Sequence, residues 1–209
     1  MSSHLDRIIH NAFLPLSFDT ISQVYGQGAL ADYTSTDIIH GDIMPANIVV
    51  FKEADEMLIA KLAGFGYSVL SKGCEFVYLP ESRPFNAPEY HNRGFQFDDA
   101  RKQDIFSLGM SCLWILFHGV LWETARNTNE FIGTSIRATQ DPWGYDLLEK
   151  FKQDQTLVNL ARRLVDQESR LSEQKKVSLS RFLELTLAHD PQERELDMAE
   201  LAKLLGQGE

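Results

Sequence analysis

The most informative part of the chain is HGDIMPANIVV, at residues 40–50. It places a carboxylate, Asp42, five residues before an amide, Asn47. In a tight loop a carboxylate accepts hydrogen bonds, and an amide both donates and accepts them, so this pair can fix the shape of the loop. Residues 48–51 and 58–62 are mostly apolar and predict the two strands of a small hairpin.

Four further segments follow in chain order. They are KLAGFG at 61–66, NAPE at 86–89, DIFSLG at 104–109 and DPQER at 190–194. Together with residues 40–50 they resemble the catalytic loop, the Asp-Phe-Gly turn, the Ala-Pro-Glu segment, the head of the central helix and the late Asp-Pro-x-x-Arg of the serine/threonine protein kinase superfamily. His-Gly-Asp also occurs in related small-molecule phosphotransferases, but those lack the Ala-Pro-Glu and central-helix segments.

The resemblance implies a mainly α fold, a protein-kinase-like C-terminal lobe built as a helical bundle with a small β-hairpin under the cleft. Thirty-nine residues precede His40, whereas the family's N-terminal lobe needs about sixty. We therefore expect the β-sheet of the N-lobe to be absent. Residues 1–37 are predicted to be a helical lead-in, with a turn or helix end at Gly26 and Gly28, and residues 38–206 the C-lobe.

The resemblance assigns catalytic roles to four positions. Asp42 stands where the family has its catalytic base, and Asn47 where it has a ligand of the second metal ion. Gly64 replaces the main metal-binding Asp, and Met44 replaces the Lys that contacts the transferring phosphate. Because phosphoryl transfer depends on positioning and electrostatic stabilisation, we expect Asp42 and Asn47 to be vestigial. A live base at Asp42 is the alternative, but it would lack a positioned phosphate donor. ATP and Mg²⁺ are predicted not to bind, or to bind weakly, and no metal site is expected.

The residues that hold the family's C-lobe together are retained. By resemblance, His40 and Phe65 stack over Asp104 at the head of the central helix. Glu89 is expected to pair with Arg194, which lies 105 residues later in the sequence. A retained scaffold combined with missing catalytic groups is typical of a pseudokinase.

Composition and charge restrict the partners. The chain has 209 residues and a net charge of -10, which argues against nucleic acid and anionic membranes as partners. Cys74 and Cys112, the two cysteines, are too few for a disulfide framework, so an intracellular location, cytoplasmic or nuclear, is expected. The uncharged run at 106–122 borders on transmembrane length. Because Asp104 and Glu123 flank it, we interpret it as a buried core helix.

Further helices are predicted in a region that Pro142 opens, with apolar residues at helical spacing over 147–164, and over residues 177–188 and 196–205. The family's activation segment would run over residues 68–82. Hydroxyl groups that another kinase could phosphorylate there are those of Ser68, Ser71, Tyr78 and Ser82.

The sequence thus predicts a catalytically inactive, kinase-like protein that acts as a protein-binding or regulatory module. Its exposed cleft face would dock a protein partner or a second copy of the chain. Two alternatives stay open: a protein serine/threonine kinase that needs an N-lobe supplied in trans, and a truncated kinase without function.

Overall fold

The computed structural model describes residues 38–52, 58–70, 76–127 and 145–206. Within these ranges the protein is mainly α-helical with two small antiparallel sheets, which confirms the predicted mainly α class. The strands are β1 (Ile38–Ile39), β2 (Ile48–Lys52), β3 (Leu58–Leu62) and β4 (Val69–Leu70). The helices are α1 (Phe97–Asn127), α2 (Tyr145–Gln153), α3 (Leu157–Gln167), α4 (Glu173–Leu187) and α5 (Met198–Gly206).

Several sequence predictions fall outside the described residues. They are the helical lead-in at 1–37 with Gly26 and Gly28, and the activation-segment residues Ser71 and Cys74.

Strands β2 and β3 form the predicted hairpin. They pair antiparallel, in a register that runs from Ile48 opposite Leu62 to Lys52 opposite Leu58. Side chains alternate across a strand, and Ile48 and Ala60 are buried while Val49 and Phe51 are exposed. One face of the hairpin therefore covers the core and the other faces outward. The pairing of β1 with β4 was not predicted, because two-residue strands are too short to show a periodic pattern.

Helix α1 is the centre of the fold. Asp98 and Asp99 lie in its first turn, where carboxylates favour the helix N-terminus. By length and composition alone, residues 97–124 could cross a membrane, but 67% of the helix's most apolar window is buried inside the fold. Helices that are apolar on all sides are buried in this way in protein cores.

Close packing of α1 against α4 depends on Gly109. A Cβ atom built at Gly109 would fall 2.7 Å from the Cβ of Thr186 on α4, which is closer than real Cβ atoms approach. The Thr186 hydroxyl donates a hydrogen bond to the Phe182 carbonyl at 2.8 Å, so it is satisfied within its own helix. Helices α3, α4 and α5 complete the main core around α1.

The helix boundaries differ from the predicted ones for local reasons. The apolar pattern over 147–164 is split into α2 and α3 by Gln155, whose φ is 57° and which cannot continue a right-handed helix. Helix α4 begins four residues before the predicted start, because the Ser172 side chain accepts a hydrogen bond from the Lys175 N–H and caps the helix.

Candidate functional site

The Asp42 carboxylate is hydrogen-bonded at both oxygens. Its Oδ1 accepts from the Ser82 hydroxyl at 2.5 Å, and its Oδ2 accepts from the Asn47 amide at 2.9 Å. The same amide nitrogen also donates to the Asp42 carbonyl at 2.8 Å. The structure therefore brings Asp42 and Asn47 together, and each satisfies the other.

Local sequence explains the shape of this loop. Pro45 begins a single 3₁₀ turn, Pro45–Asn47, where its fixed φ fits and its missing N–H costs nothing. The Asn47 N–H donates to the Met44 carbonyl at 2.9 Å and closes the turn. Met44 itself is half-buried and packs against the main core, so its side chain serves as core rather than as a surface group.

Gly64 lies directly against Asn47. Its φ is 80°, a left-handed conformation that glycine adopts without strain. A Cβ atom at this position would meet the Asn47 side chain, 2.6 Å from Oδ1 and 2.7 Å from Cγ. The Asn47 amide thus occupies the space that any side chain at position 64 would need.

Asp104 anchors the loop to helix α1. Its carboxylate accepts the main-chain N–H of His40 at 2.6 Å and that of Gly41 at 2.9 Å. The His40 ring bonds the Ala63 carbonyl through Nε2 at 2.9 Å, and the Phe65 ring lies edge-on to it with centroids 4.9 Å apart. Phe65 therefore contacts His40, while the main chain of His40 and Gly41 contacts Asp104.

Glu89 and Arg194 form a two-pronged ion pair. Arg194 Nη1 donates to Glu89 Oε1 at 2.6 Å, and Nη2 donates to Oε2 at 2.8 Å. The Arg194 side chain is fully buried. It also donates through Nε to the Ala188 carbonyl and through Nη1 to the Lys102 carbonyl. Gln103 supplies a further donor to Glu89 at 2.7 Å. The pair joins residues 105 positions apart and ties the NAPE segment to the end of the helical core.

Sequence reasoning missed two polar residues that shape this region. Ser82 was considered only as a phosphorylation site, yet it binds Asp42, and no spacing rule signals a contact over forty residues. Lys152 is buried, and its ammonium group donates to the carbonyls of Pro84 and Asn86 at 3.0 and 2.9 Å and pairs with Glu149 at 2.6 Å. Burial lowers the pKa of Lys152, while the bond to Glu149 opposes that shift.

Asn47 and Gly64 stand at the two positions that the resemblance assigns to metal binding. Each carboxylate oxygen of Asp42 accepts one hydrogen bond, the Asn47 amide faces Asp42, and Gly64 carries no side chain. A pocket beside Asp42, lined also by Ser82 and Asp104, has room for about one water molecule. In the part of the chain that the structure describes, no three His, Cys, Asp or Glu side chains are arranged to hold a metal ion.

No protein-family model matches this chain, and no curated protein matches it either.

Proposed function

We propose that the chain is a catalytically inactive protein kinase-like domain, a pseudokinase, which acts as a protein-binding or regulatory module. The proposal includes the finer fold assignment, a kinase-like C-terminal lobe over residues 38–206. It rests on the five sequence motifs described above and on the geometry around Asp42.

One observation carries the proposal: the Asn47 side chain fills the space beside Gly64. In an active kinase, the residue at this position supplies the carboxylate that binds the metal ion on the phosphates. Here a side chain at position 64 would start 2.6 Å from Asn47 Oδ1. The Asn47 side chain thus fills the space that a carboxylate-bearing side chain at position 64 would enter, so a single substitution would not restore the ligand.

Two further observations support the same conclusion. Asp42 accepts hydrogen bonds from Ser82 and Asn47, so it has a structural role in the loop that does not depend on catalysis. Met44 packs into the core where an active enzyme needs an ammonium group for the transferring phosphate. Electrostatic stabilisation is the main source of phosphoryl-transfer catalysis. Without the metal-binding carboxylate and the ammonium group, the chain lacks the charges that would stabilise the transferring phosphate.

The binding role is supported by the apolar surface. Among the described residues, seven large apolar side chains between positions 49 and 78 are exposed, namely Val49, Phe51, Phe65, Tyr67, Leu70, Phe76 and Tyr78. Large contiguous apolar patches usually mark interaction sites, and the binding role requires that these side chains form such a patch. A protein partner or a second copy of the chain is the occupant that such a surface suits.

A kinase completed by a separately supplied N-lobe is the competing function. A borrowed lobe would bring its own lysine for the inner phosphates. It would change neither Gly64 nor Met44, which belong to this chain. Nothing in the geometry of the Asp42 loop favours this alternative over an inactive domain.

Nucleotide binding and phosphoryl transfer together test the proposal. A ligand present at a hundred times its Kd raises the free energy of unfolding by about 2.7 kcal/mol. We expect Mg²⁺·ATP to give no such stabilisation in a thermal melt, and we expect no label transfer from γ-labelled ATP to a generic basic protein. Label transfer by the purified chain that disappears in the Asp42→Ala variant would overturn the proposal.

A further inference from the structure

Three exposed apolar side chains surround the place where the described fold begins. Phe65, Tyr67 and Leu70 are 58%, 50% and 64% exposed. Leu70 is paired with Ile38 in the β1–β4 sheet, and Ile38 is the first residue that the structure describes. These side chains therefore lie beside the point at which residues 1–37 join the fold.

Phe65 and Tyr67 contact the loop that follows β1. The centroid of the Phe65 ring is 4.9 Å from that of the His40 ring. The main chain of Tyr67 lies so close to Gly41 that a Cβ atom built on this glycine would be 2.9 Å from the Tyr67 carbonyl oxygen. All three exposed residues thus lie against residues 38–41.

We call the surface formed by Phe65, Tyr67 and Leu70 the entry surface. The stretch that carries it, residues 63–70, contains no charged side chain. Apolar surface of this kind gains free energy when another apolar surface covers it and removes it from water. The entry surface therefore suits an occupant that is itself apolar and uncharged.

Residues 8–25 of the same chain have this composition. Asp19 is the one residue among these eighteen with a formal charge. Disordered segments have the opposite composition, with few apolar and many charged side chains. We therefore expect residues 8–25 to bury their apolar side chains against another surface. Nine of them are large and apolar, namely Ile8, Ile9, Phe13, Leu14, Leu16, Phe18, Ile21, Val24 and Tyr25.

The connection between this segment and the fold is short. Twelve residues, 26–37, separate it from Ile38, and when extended they span up to about 40 Å. Gly26 and Gly28 predict a turn within the connection, which would direct the preceding residues back over the surface beside Ile38. A short covalent connection holds two surfaces at an effective concentration of roughly millimolar, so the chain's own segment competes well against a free partner.

We infer that residues 8–25 fold back and cover the entry surface within the same chain. The inference rests on the binding function proposed above and adds its regulation, because a partner protein must displace this segment to use the surface. The apparent affinity of such a partner is reduced in proportion to the fraction of molecules whose surface is free. A second copy of the chain is the less suitable occupant, since it is not tethered and carries the same net charge of -10.

Photo-cross-linking of the full chain tests this inference. With p-benzoylphenylalanine in place of Leu70, we expect cross-links to residues 8–25 in a product of monomer size, located by mass spectrometry. The same amino acid in place of Val177, a 70% exposed valine on α4, is the matched control. It should give no cross-link to residues 8–25.

Charges placed on the segment give a second test. The Ile21→Asp/Val24→Asp variant should lower the yield of the Leu70 cross-link by about tenfold or more, because it replaces two apolar side chains that docking buries. Ser22→Asp/Gln23→Asp is the matched control, because it adds the same two charges at neighbouring polar positions. It should leave most of the cross-link in place.

Three results would overturn the inference. They are the absence of a Leu70 cross-link to residues 8–25, a Leu70 cross-link that joins two copies of the chain, and an equal yield in the two aspartate variants. Each would leave the proposed binding function in place. Phosphoryl transfer dependent on Asp42 would instead remove the proposed function, whatever the cross-links show.

Discussion

Two parts of the molecule differ in which side chains they bury and which they expose. In the helical region, residues 76–127 and 145–206, charged groups such as Arg194 and Lys152 are buried and bonded. In the loop region, residues 38–52 and 58–70, Asp42 is half-buried and apolar side chains are exposed. The loop region holds 28 of the 142 described residues but half of the ten exposed large apolar side chains.

This difference indicates two roles for side chains, one in stability and one in contact with a partner. A buried charge must keep its partner, because an unpaired one costs several kcal/mol. A large contiguous patch of exposed apolar side chains usually marks an interaction surface, and the exposed apolar side chains of the loop region support such a role there. The helical region is therefore expected to dominate stability, and the loop region to dominate contact. Substitutions in the first should cost much more free energy of unfolding than substitutions in the second.

The largest effect is expected at the Glu89–Arg194 pair. Glu89→Gln leaves the fully buried guanidinium of Arg194 without its counter-charge, which should reduce the free energy of unfolding by roughly 3 to 5 kcal/mol. Urea unfolding followed by tryptophan fluorescence measures it. The control is Arg162→Met, which removes an ion pair with Glu184 that is 50% exposed on the arginine side and should cost under about 1 kcal/mol. Equal losses in the two variants would contradict the comparison.

Asp104 joins the two regions and should rank second. Asp104→Ala removes the acceptor of two main-chain N–H groups, those of His40 and Gly41. Hydrogen bonds to a charged group contribute about 1.5 to 3 kcal/mol each, so we expect a loss of about 3 kcal/mol. Asp104→Asn keeps one acceptor oxygen and should cost about half as much. Amide hydrogen exchange at His40 and Gly41 should accelerate in the alanine variant, and unchanged protection would argue against this anchor.

The fold was predictable from sequence where the pattern was long. The uncharged run at 106–122 led to the central helix, and the apolar segments at 48–51 and 58–62 led to the hairpin. Helix ends were less predictable, because the Ser172 cap and the positive φ of Gln155 are single-residue events that a periodic pattern does not register. The β1–β4 pairing joins strands of two residues each, which are too short to show a periodic pattern in the sequence.

The candidate site was predictable only in its residues, not in its contacts. The spacing of Asp42 and Asn47 indicated a shared loop, and the resemblance led to Glu89 with Arg194. Two sets of hydrogen bonds could not be predicted from the sequence, because they form between segments that are far apart along the chain. They are the bond from Ser82 to Asp42 and the bonds from Lys152 to two carbonyls. The crowding of Gly64 by Asn47 is also a property of three-dimensional packing.

The stability of the helical region should depend on pH through Lys152. Lys152→Met leaves the carbonyls of Pro84 and Asn86 without their donor and should cost about 2 kcal/mol at neutral pH. Burial lowers the pKa of Lys152 below 10.5 in the folded state. The unfolded chain then binds more protons between the folded pKa and 10.5, so the native protein gains stability as pH rises through that window. Unfolding curves at several alkaline pH values should show the gap between native protein and variant widening, whereas a narrowing gap would contradict the assigned shift.

The smallest effect is expected in the loop region, at Gly64. Gly64→Ala forces a methyl group into a left-handed position beside Asn47 and should cost about 1 to 2 kcal/mol. Gly66→Ala is the matched control, because a Cβ there meets nothing within 4 Å, and it should be nearly neutral. Gly64→Asp should carry the same penalty and still fail to bind Mg²⁺ in calorimetry, because Asn47 already lies where the new carboxylate must start. Magnesium binding by Gly64→Asp would mean that the loop region still holds a metal site that lacks one ligand. The loop region would then have kept a catalytic role, which would contradict its interpretation as a contact surface beside a stabilising helical region.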